Sequence, residues 1–422
     1  MKRTFFLLPA LSLLLLLPCA AYDMGAPGAS PRLSAGLSHT VYVDENGVLW
    51  AWGSNQAGQL GLETQETGAD PQGDAVPLSG KPMRVMDNVR SASAGADFTL
   101  ALKTDGTLWA WGGNDYGQLG TGSTEASRQP VQVLDQVAAI SAGDYHAAAL
   151  RTDGTLWTWG DNLFGQLGDG TLSSRTAPTL VLTQVTAVSA GVAATAAIRS
   201  DGTLWTWGDN LFGQLGDGTL DSRPLPRQVL DGVAAVSMGG YHAVALRSDG
   251  TLWTWGSSID GQLGLGLQGE DSLPQPTPAQ VPLEGAVTAI SAGASHTAAV
   301  LADGTLWTWG RNASRQLGQA DVESAPLPRP VSQAAGVIAA STGTYHTVCL
   351  QTDGALITWG PQTLSGGGAV EAMADVSTAP AKATQADFPT DEPDWTPLAV
   401  LTGSTALMLL LGLLFRNRRT EG

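Results

Sequence analysis

The sequence predicts an all-β chain built by radial repetition, with seven copies of one four-stranded unit standing side by side in a ring. Three observations carry this. One motif recurs seven times, an Asp-Gly type turn separates two strand-length apolar runs in each copy, and no sustained helical period appears before residue 397.

The copies align on one pattern: Ala-Gly-x-x-His, a short apolar run, Asp-Gly-Thr-Leu-Trp-x-Trp-Gly, then Gly-Gln-Leu-Gly, the last segment being lost from the seventh copy. The first glycine recurs at Gly36, Gly95, Gly143, Gly191, Gly239, Gly293 and Gly343, with spacings of 59, 48, 48, 48, 54 and 50. The turn glycines, from Gly47 to Gly354, follow at a constant offset of eleven. Thirteen of the 14 tryptophans fall in the two Trp slots, and Ile357 is the one departure there. Residues 153–172 and 201–220 are identical, the mark of duplication. Gly accepts positive φ without strain, so Asp153-Gly154 predicts a hairpin between His146–Leu150 and Thr155–Trp159. Two further short runs, Pro130–Val133 and Val137–Ile140, complete four strands per copy. Neither face of the central strands is consistently polar. Such a unit cannot close its own core, and packing each one between two neighbours solves the problem. Repeats are expected to start near 33, 92, 140, 188, 236, 290 and 340. A Pro-x-x-Val element follows six copies, from Pro82–Val85 to Pro328–Val331. Residues 370–376 weakly match 83–89 and are expected to dock beside the first unit, closing the ring.

Both termini read as addresses. Met1–Ala21 has a basic start and an apolar stretch from Phe5 to Leu17, the pattern of a signal peptide. Residues 22–32 form a short lead and 33–376 the repeat domain. Residues 377–395 form an acidic Pro/Ala/Thr linker. Pro397–Phe415 carries no charge and is long enough to span a bilayer as a helix. The basic tail, 416–422, places the C-terminus in the cytoplasm. The expectation is a single-pass membrane anchor with the repeat domain displayed outside the cell.

Composition removes several functions. The 422 residues carry a net charge of −17, and residues 22–415 alone reach −21. Such a surface repels phosphate backbones, so no nucleic acid partner is expected. Of the two cysteines, Cys19 lies in the signal segment, which leaves Cys349 without a disulfide partner or a zinc set. All five histidines, His39, His146, His242, His296 and His346, share one slot that Phe98 and Ala194 fill in the other copies. A slot that admits His, Phe or Ala is a packing position, with a hydrogen bond to a neighbouring blade as its polar use. A ring of imidazoles could not converge on one ion. The turn aspartates, from Asp105 to Asp353, are explained by turn chemistry, and Asn46 replaces one of them. The paired tryptophans are expected to pack between units rather than to stack on sugars. Gly-Gln-Leu-Gly opens no helix with Lys-Ser/Thr and so is no phosphate loop. No catalytic residue, metal or cofactor is expected.

The strings His-Thr, Asp-Gly-x-Leu-Trp-x-Trp-Gly and Asn-x-x-Gly-Gln-Leu-Gly resemble the repeats of the regulator of chromosome condensation family. Asn55, Asn114, Asn162 and Asn210 begin full copies of the last string. The fifth copy has Ser257-Ser258 in its place, and the sixth keeps Asn312 but puts Arg315 where a glycine belongs. The resemblance spans residues 33–376 and implies a seven-bladed β-propeller. The Trp-Asp ending of WD-type propellers is absent.

Function then rests on what differs between copies. The first long connection carries Glu63, Glu66, Asp70 and Asp74, and the fifth carries Glu270 and Asp271. These are candidate partner-binding loops, because insertions in repeat folds project from one face. The expected function is a non-enzymatic, surface-displayed binding propeller whose partner is an extracellular protein. Two alternatives stand beside it. Guanine-nucleotide exchange on a small GTPase is what the family resemblance implies, and glycan binding would need exposed Trp. In a eukaryotic source Asn312-Ala313-Ser314 is a candidate glycosylation site.

Overall fold

The computed structural model describes residues 32–62, 67–69, 75–269 and 272–360. The signal segment, residues 370–376, the linker and Pro397–Phe415 lie outside the described residues. Among the described residues no helix is long and apolar enough to cross a membrane.

Among the described residues seven antiparallel sheets follow one another along the chain, and all but the first are simple meanders. Sheet three is representative. Its strands are Val137–Ala142, His146–Arg151, Leu156–Gly160 and Arg175–Leu182, paired in chain order. Sheets two, four, five and six repeat this order with four strands. Sheet one adds a short fifth strand, Thr67–Ala69, paired to the long strand Ala75–Met86. Sheet seven shows three strands, Val337–Thr342, Thr347–Gln351 and Leu356–Trp359, among the described residues. Six of the first strands begin three residues ahead of the predicted repeat starts, at Val89, Val137, Val185, Val233, Val287 and Val337.

The Asp-Gly hairpin forms where expected. In sheet three Arg151 and Thr155 flank a three-residue loop, and Gly154 takes φ of 80°. The Asp153 carboxylate accepts from the backbone N–H of Thr155 at 2.9 Å and from its hydroxyl at 2.6 Å, locking the turn. Register then places Ala147 opposite Trp159 and Ala149 opposite Trp157. The middle strands are buried on both faces, while the fourth strands are half-buried to exposed.

The ring closes through backbone and small side chains. The first strands line a central channel of about 350 Å³ dominated by Ser, Ala and Gly. Ser34 Oγ accepts from Ala94 N, Ser93 from Ala142, Ser141 from Ala190 and Ser189 from Met238. Ser237 then accepts from Ala292, Ser291 from Thr342, and Ser341 from Ala35 at 3.0 Å. The seventh bond returns to the first sheet. Beside this belt the seven first-slot glycines form a second one. A Cβ on any of them would collide with a carbonyl oxygen of the next glycine in the circle, Gly343 meeting Gly36. Only glycine permits that approach.

Candidate binding face

The two motifs that dominate the sequence turn out to join blades. In five of the six pairs the second tryptophan, Trp111, Trp159, Trp207, Trp255 or Trp309, is fully buried. Each donates its indole N–H to the preceding blade's Gln-Leu-Gly carbonyl, from Trp111 to Gln59 at 2.9 Å through Trp309 to Gln262 at 2.9 Å. The last glycine of that motif leaves room for the indole edge; a Cβ at Gly120 would sit 2.7 Å from Trp159 Nε1. The motif's asparagine holds the loop. Asn162 Oδ1 accepts from Leu167 N at 2.9 Å, and its amide donates to the carbonyls of Thr171 and Ser173. Asn312 is bound the same way to Gln319 and Val322 and is 3% exposed, so the glycosylation expected in a eukaryotic source is sterically blocked.

The first tryptophans depart from the expected inter-blade role in part. They are half-buried, and Trp109, Trp157, Trp205 and Trp253 bond the threonine of their own turn. One face of each ring is taken by a cation of the same blade: Lys103, Arg151, Arg199 or Arg247, at 4.2–5.7 Å. These residues and the Asp-Gly turns occupy one face of the ring.

Four of the five histidines are buried between blades, and His346 is partly buried at the last junction. His39 Nε2 lies 2.9 Å from Thr99 Oγ1, His146 from Thr195 at 2.9 Å, and His242 from Thr297 at 2.6 Å. His296 pairs with Thr347 at 2.9 Å and His346 with Thr40 at 3.0 Å. The hydroxyls of Thr99, Thr195 and Thr297 donate onward to Gln59, Gln166 and Gln262 carbonyls, which assigns the proton of the facing imidazole to Nε2. Burial drives His39, His146, His242 and His296 down to about 3 and His346 to about 4, so all five are neutral near pH 7. Cys349 is buried and its thiol is pushed up to about 12 by burial, which leaves it unreactive.

The opposite face, formed by the loops after the first and third strands, has a different character. Cross-blade aromatic pairs stand on it: Tyr116 with Tyr145 at 5.3 Å, and Phe212 with Tyr241 at 5.2 Å. Tyr116, Leu163, Leu211 and Tyr345 are exposed there, Tyr345 by 47%. Burial, with the charge of Asp144 second, pushes Tyr241 up to about 12. Three aspartates on this face are held above the usual carboxylate range by burial: Asp97, Asp161 and Asp209. Each accepts from the side-chain amide of the motif glutamine in its own blade, Gln118 at 3.3 Å, Gln166 at 2.8 Å and Gln214 at 2.7 Å. Asp97 comes from the loop before the second strand, whereas Asp161 and Asp209 come from the end of the third. A Cβ at Gly113 would strike the Asp97 carboxylate, so the blade with one source has no room for the other.

None of the loop candidates is brought to this face by the structure, because Glu63, Glu66, Asp70, Asp74, Glu270 and Asp271 lie outside the described residues. Sequence reasoning passed over the face itself. Its signal was present: the two positions after each first glycine and the two after each motif asparagine vary from copy to copy.

With the geometry in place, the chain can be set beside known proteins. A profile described as the RCC1-like domain matches residues 24–332. The chain belongs to the RCC1-like domain family. Among solved structures, this RCC1-like propeller is similar to human WBSCR16, at 24% identity and TM-score 0.65 over 75% of this chain and 85% of that one. It is similar to Prp20p of Saccharomyces cerevisiae at 23% identity and TM-score 0.65, covering 76% and 82% of the two chains. Identities this low speak for the fold alone. Among curated relatives it is 36% identical to the Arabidopsis thaliana ultraviolet-B receptor UVR8 over 93 residues, and 36% to human protein RCC2 over 106. Each match covers 22% of this chain and 19% of the relative, so the chain spans about a fifth of those proteins' length.

Proposed function

We propose that this chain is a non-enzymatic binding propeller, displayed at the cell surface on a single-pass anchor, which takes a protein partner on the face bearing Tyr116, Tyr145, Tyr241 and Tyr345. The observation that carries the reading is the contrast between faces. One is laced by turn aspartates and by cations stacked on tryptophan. The other exposes tyrosine and leucine around a channel mouth, and exposed aromatics flanked by polar groups are the usual anchors of protein interfaces. The residues most suggestive of chemistry, the histidines, are used up between blades, which supports a rigid scaffold over a catalyst. The yeast Prp20p structure was described together with its binding to Gsp1p and histones, which gives a precedent for protein partners on a similar fold. Export and anchoring rest on the signal-like segment 1–21 and on Pro397–Phe415.

Affinity capture with the full-length chain tests the reading. The expected result is a protein partner retained by the natural chain and lost on Tyr345→Ala or Leu163→Asp. Partner retention by both variants, with loss on substitution of the turn aspartates instead, overturns the choice of face. Impermeant labelling of intact cells tests display. A propeller found inside would return the exchange-factor alternative.

A further inference from the structure

Blade six lacks a part that blades two, three and four possess. In those three the buried glutamine of Gln-Leu-Gly gives its side-chain amide to an aspartate of the same blade. In blade six the glutamine is Gln316. It is fully buried, its Oε1 accepts from Ser314 N at 3.0 Å, and its Nε2 has no partner among the described residues. The residue at the aspartate's backbone position is Arg311. The N–H of Arg311 donates to Ser295 O at 2.9 Å, as Asp161 N does to Tyr145 O and Asp209 N to Ala193 O, both at 2.9 Å. The alternative source of the carboxylate is lost as well, since Ser295 stands where blade two has Asp97. Blade six therefore combines a buried amide donor that has no partner among the described residues with an exposed cation at the backbone position where blades three and four carry their aspartate.

We propose that blade six is a carboxylate-binding site. An aspartate or glutamate side chain of the partner occupies the place of the missing internal acid, paired to Arg311 and receiving the Gln316 amide. The chemistry is that of a charge-assisted hydrogen bond, and an unpaired buried amide is costly enough to favour an incoming acceptor. A neighbouring change selects the residue beside that acid. Tyr145 and Tyr241 each pack against an aromatic ring of the preceding blade, but the corresponding ring before Tyr345 is replaced by Ser314. Tyr345 is left 47% exposed on the rim of the same blade junction. The recognised element is thus an acidic residue next to an aromatic or aliphatic one. On a face rich in aspartate, Arg311 gives such an acid a cation to pair with. This inference deepens the protein-binding reading and rests on it for the identity of the ligand's carrier.

The test uses the detergent-solubilised full-length chain, labelled with ¹⁵N in glutamine side chains, and titrates N-acetyl-aspartate-N-methylamide while following the amide signals. The Gln316 amide is expected to shift saturably, with an affinity in the weak range open to so few atoms. N-acetyl-asparagine-N-methylamide should bind weaker by roughly tenfold or more, the ratio expected on losing one charge-assisted bond. Arg311→Asp, which rebuilds the arrangement of blades three and four, is expected to abolish the shift and to raise the unfolding midpoint. The raised midpoint separates a filled site from a damaged fold. An equal response to the asparagine probe, or a shift that survives Arg311→Asp, overturns the site. A chain that binds the aspartyl probe but captures no protein sinks the protein-binding reading and leaves the site standing. Partner capture undiminished by Arg311→Asp, with the probe response abolished, removes the site from partner recognition.

Discussion

The junction between blades one and two and the junction between blades two and three use the same strands and the same docked tryptophan, yet their centres differ in kind. The first is held by His39 and Thr99, the second by Phe98 and Ala147, all four nearly or fully buried. The alternation is consistent round the ring. Wherever the slot holds His, the next blade offers Thr, at five junctions; where it holds Phe98 or Ala194, the next blade offers Ala147 or Ala243. Polarity is conserved across the junction rather than along the chain. An imidazole N–H or a hydroxyl left alone in a dry interface costs more than either an intact polar pair or two apolar groups. The ring tolerates both kinds of centre because each is complete.

The comparison can be broken in several ways. The largest effect should come from what the two junctions share. Trp111→Ala and Trp159→Ala are each expected to cost about 3–5 kcal/mol by denaturant unfolding. A much larger loss at Trp159 would mean that the apolar junction leans on its tryptophan more heavily. Next comes Thr99→Ala, which strands the His39 N–H and takes a donor from the Gln59 carbonyl, for a loss of about 1–3 kcal/mol. The double change His39→Phe with Thr99→Ala converts the first junction into a copy of the second. It should recover at least about 1 kcal/mol of that loss, since Gly36 stands beside His39 as Gly95 stands beside Phe98. If the double variant is as unstable as the sum of its parts, junction polarity is not the governing variable.

Acid sharpens the same contrast. Folded His39 titrates near 3 against an ordinary 6.5, so below about pH 6.5 the unfolded chain takes up a proton that the folded one refuses. The histidine contribution is therefore fully present above pH 6.5 and is lost as the pH falls toward 3. The raised Asp97, Asp161 and Asp209 act in the opposite sense, because their folded forms protonate first on acidification. The His39→Phe, Thr99→Ala chain should lose stability less steeply between pH 6 and 4, by roughly 1.4 kcal/mol per pH unit. An unchanged slope would place the protonation elsewhere. The smallest effect concerns Arg315, whose φ of 59° is the left-handed conformation that glycine supplies in the other copies of the motif. Arg315→Gly should raise stability by about 1 kcal/mol or less, read as a small rise in unfolding midpoint.

Much of the fold could be read along the chain, because repetition reports itself. The Asp-Gly hairpins, the strand lengths, the buried second tryptophan and the packing role of the histidines all follow from residues a few positions apart or from one slot compared across copies. The pairing of His with the next blade's Thr was legible too, in His146 against Thr195 and Phe98 against Ala147, but only to a reader aligning each slot with its neighbour's. The serine belt escaped notice for a related reason. Ser93 and Ser141 look like ordinary strand residues until Ala142 N and Ala190 N are seen to need acceptors. The loop candidates Glu63, Glu66, Asp70, Asp74, Glu270 and Asp271 drew attention through length, whereas the face is shaped by single substitutions in loops of constant length.

By itself the sequence determined the class of fold, the number of blades and the local turns, since these depend on periodicity and on backbone preferences of single residues. Only the tertiary structure decided that Asp97 from one loop and Asp161 from another serve the equivalent motif glutamine of their own blades, Gln118 and Gln166, and that blade six has neither acid. Two positions far apart in register can fill one volume, and an alignment of slots has no coordinate for shared space. The missing carboxylate at Arg311 became visible only when the amide of Gln316 was found buried with nothing to receive it.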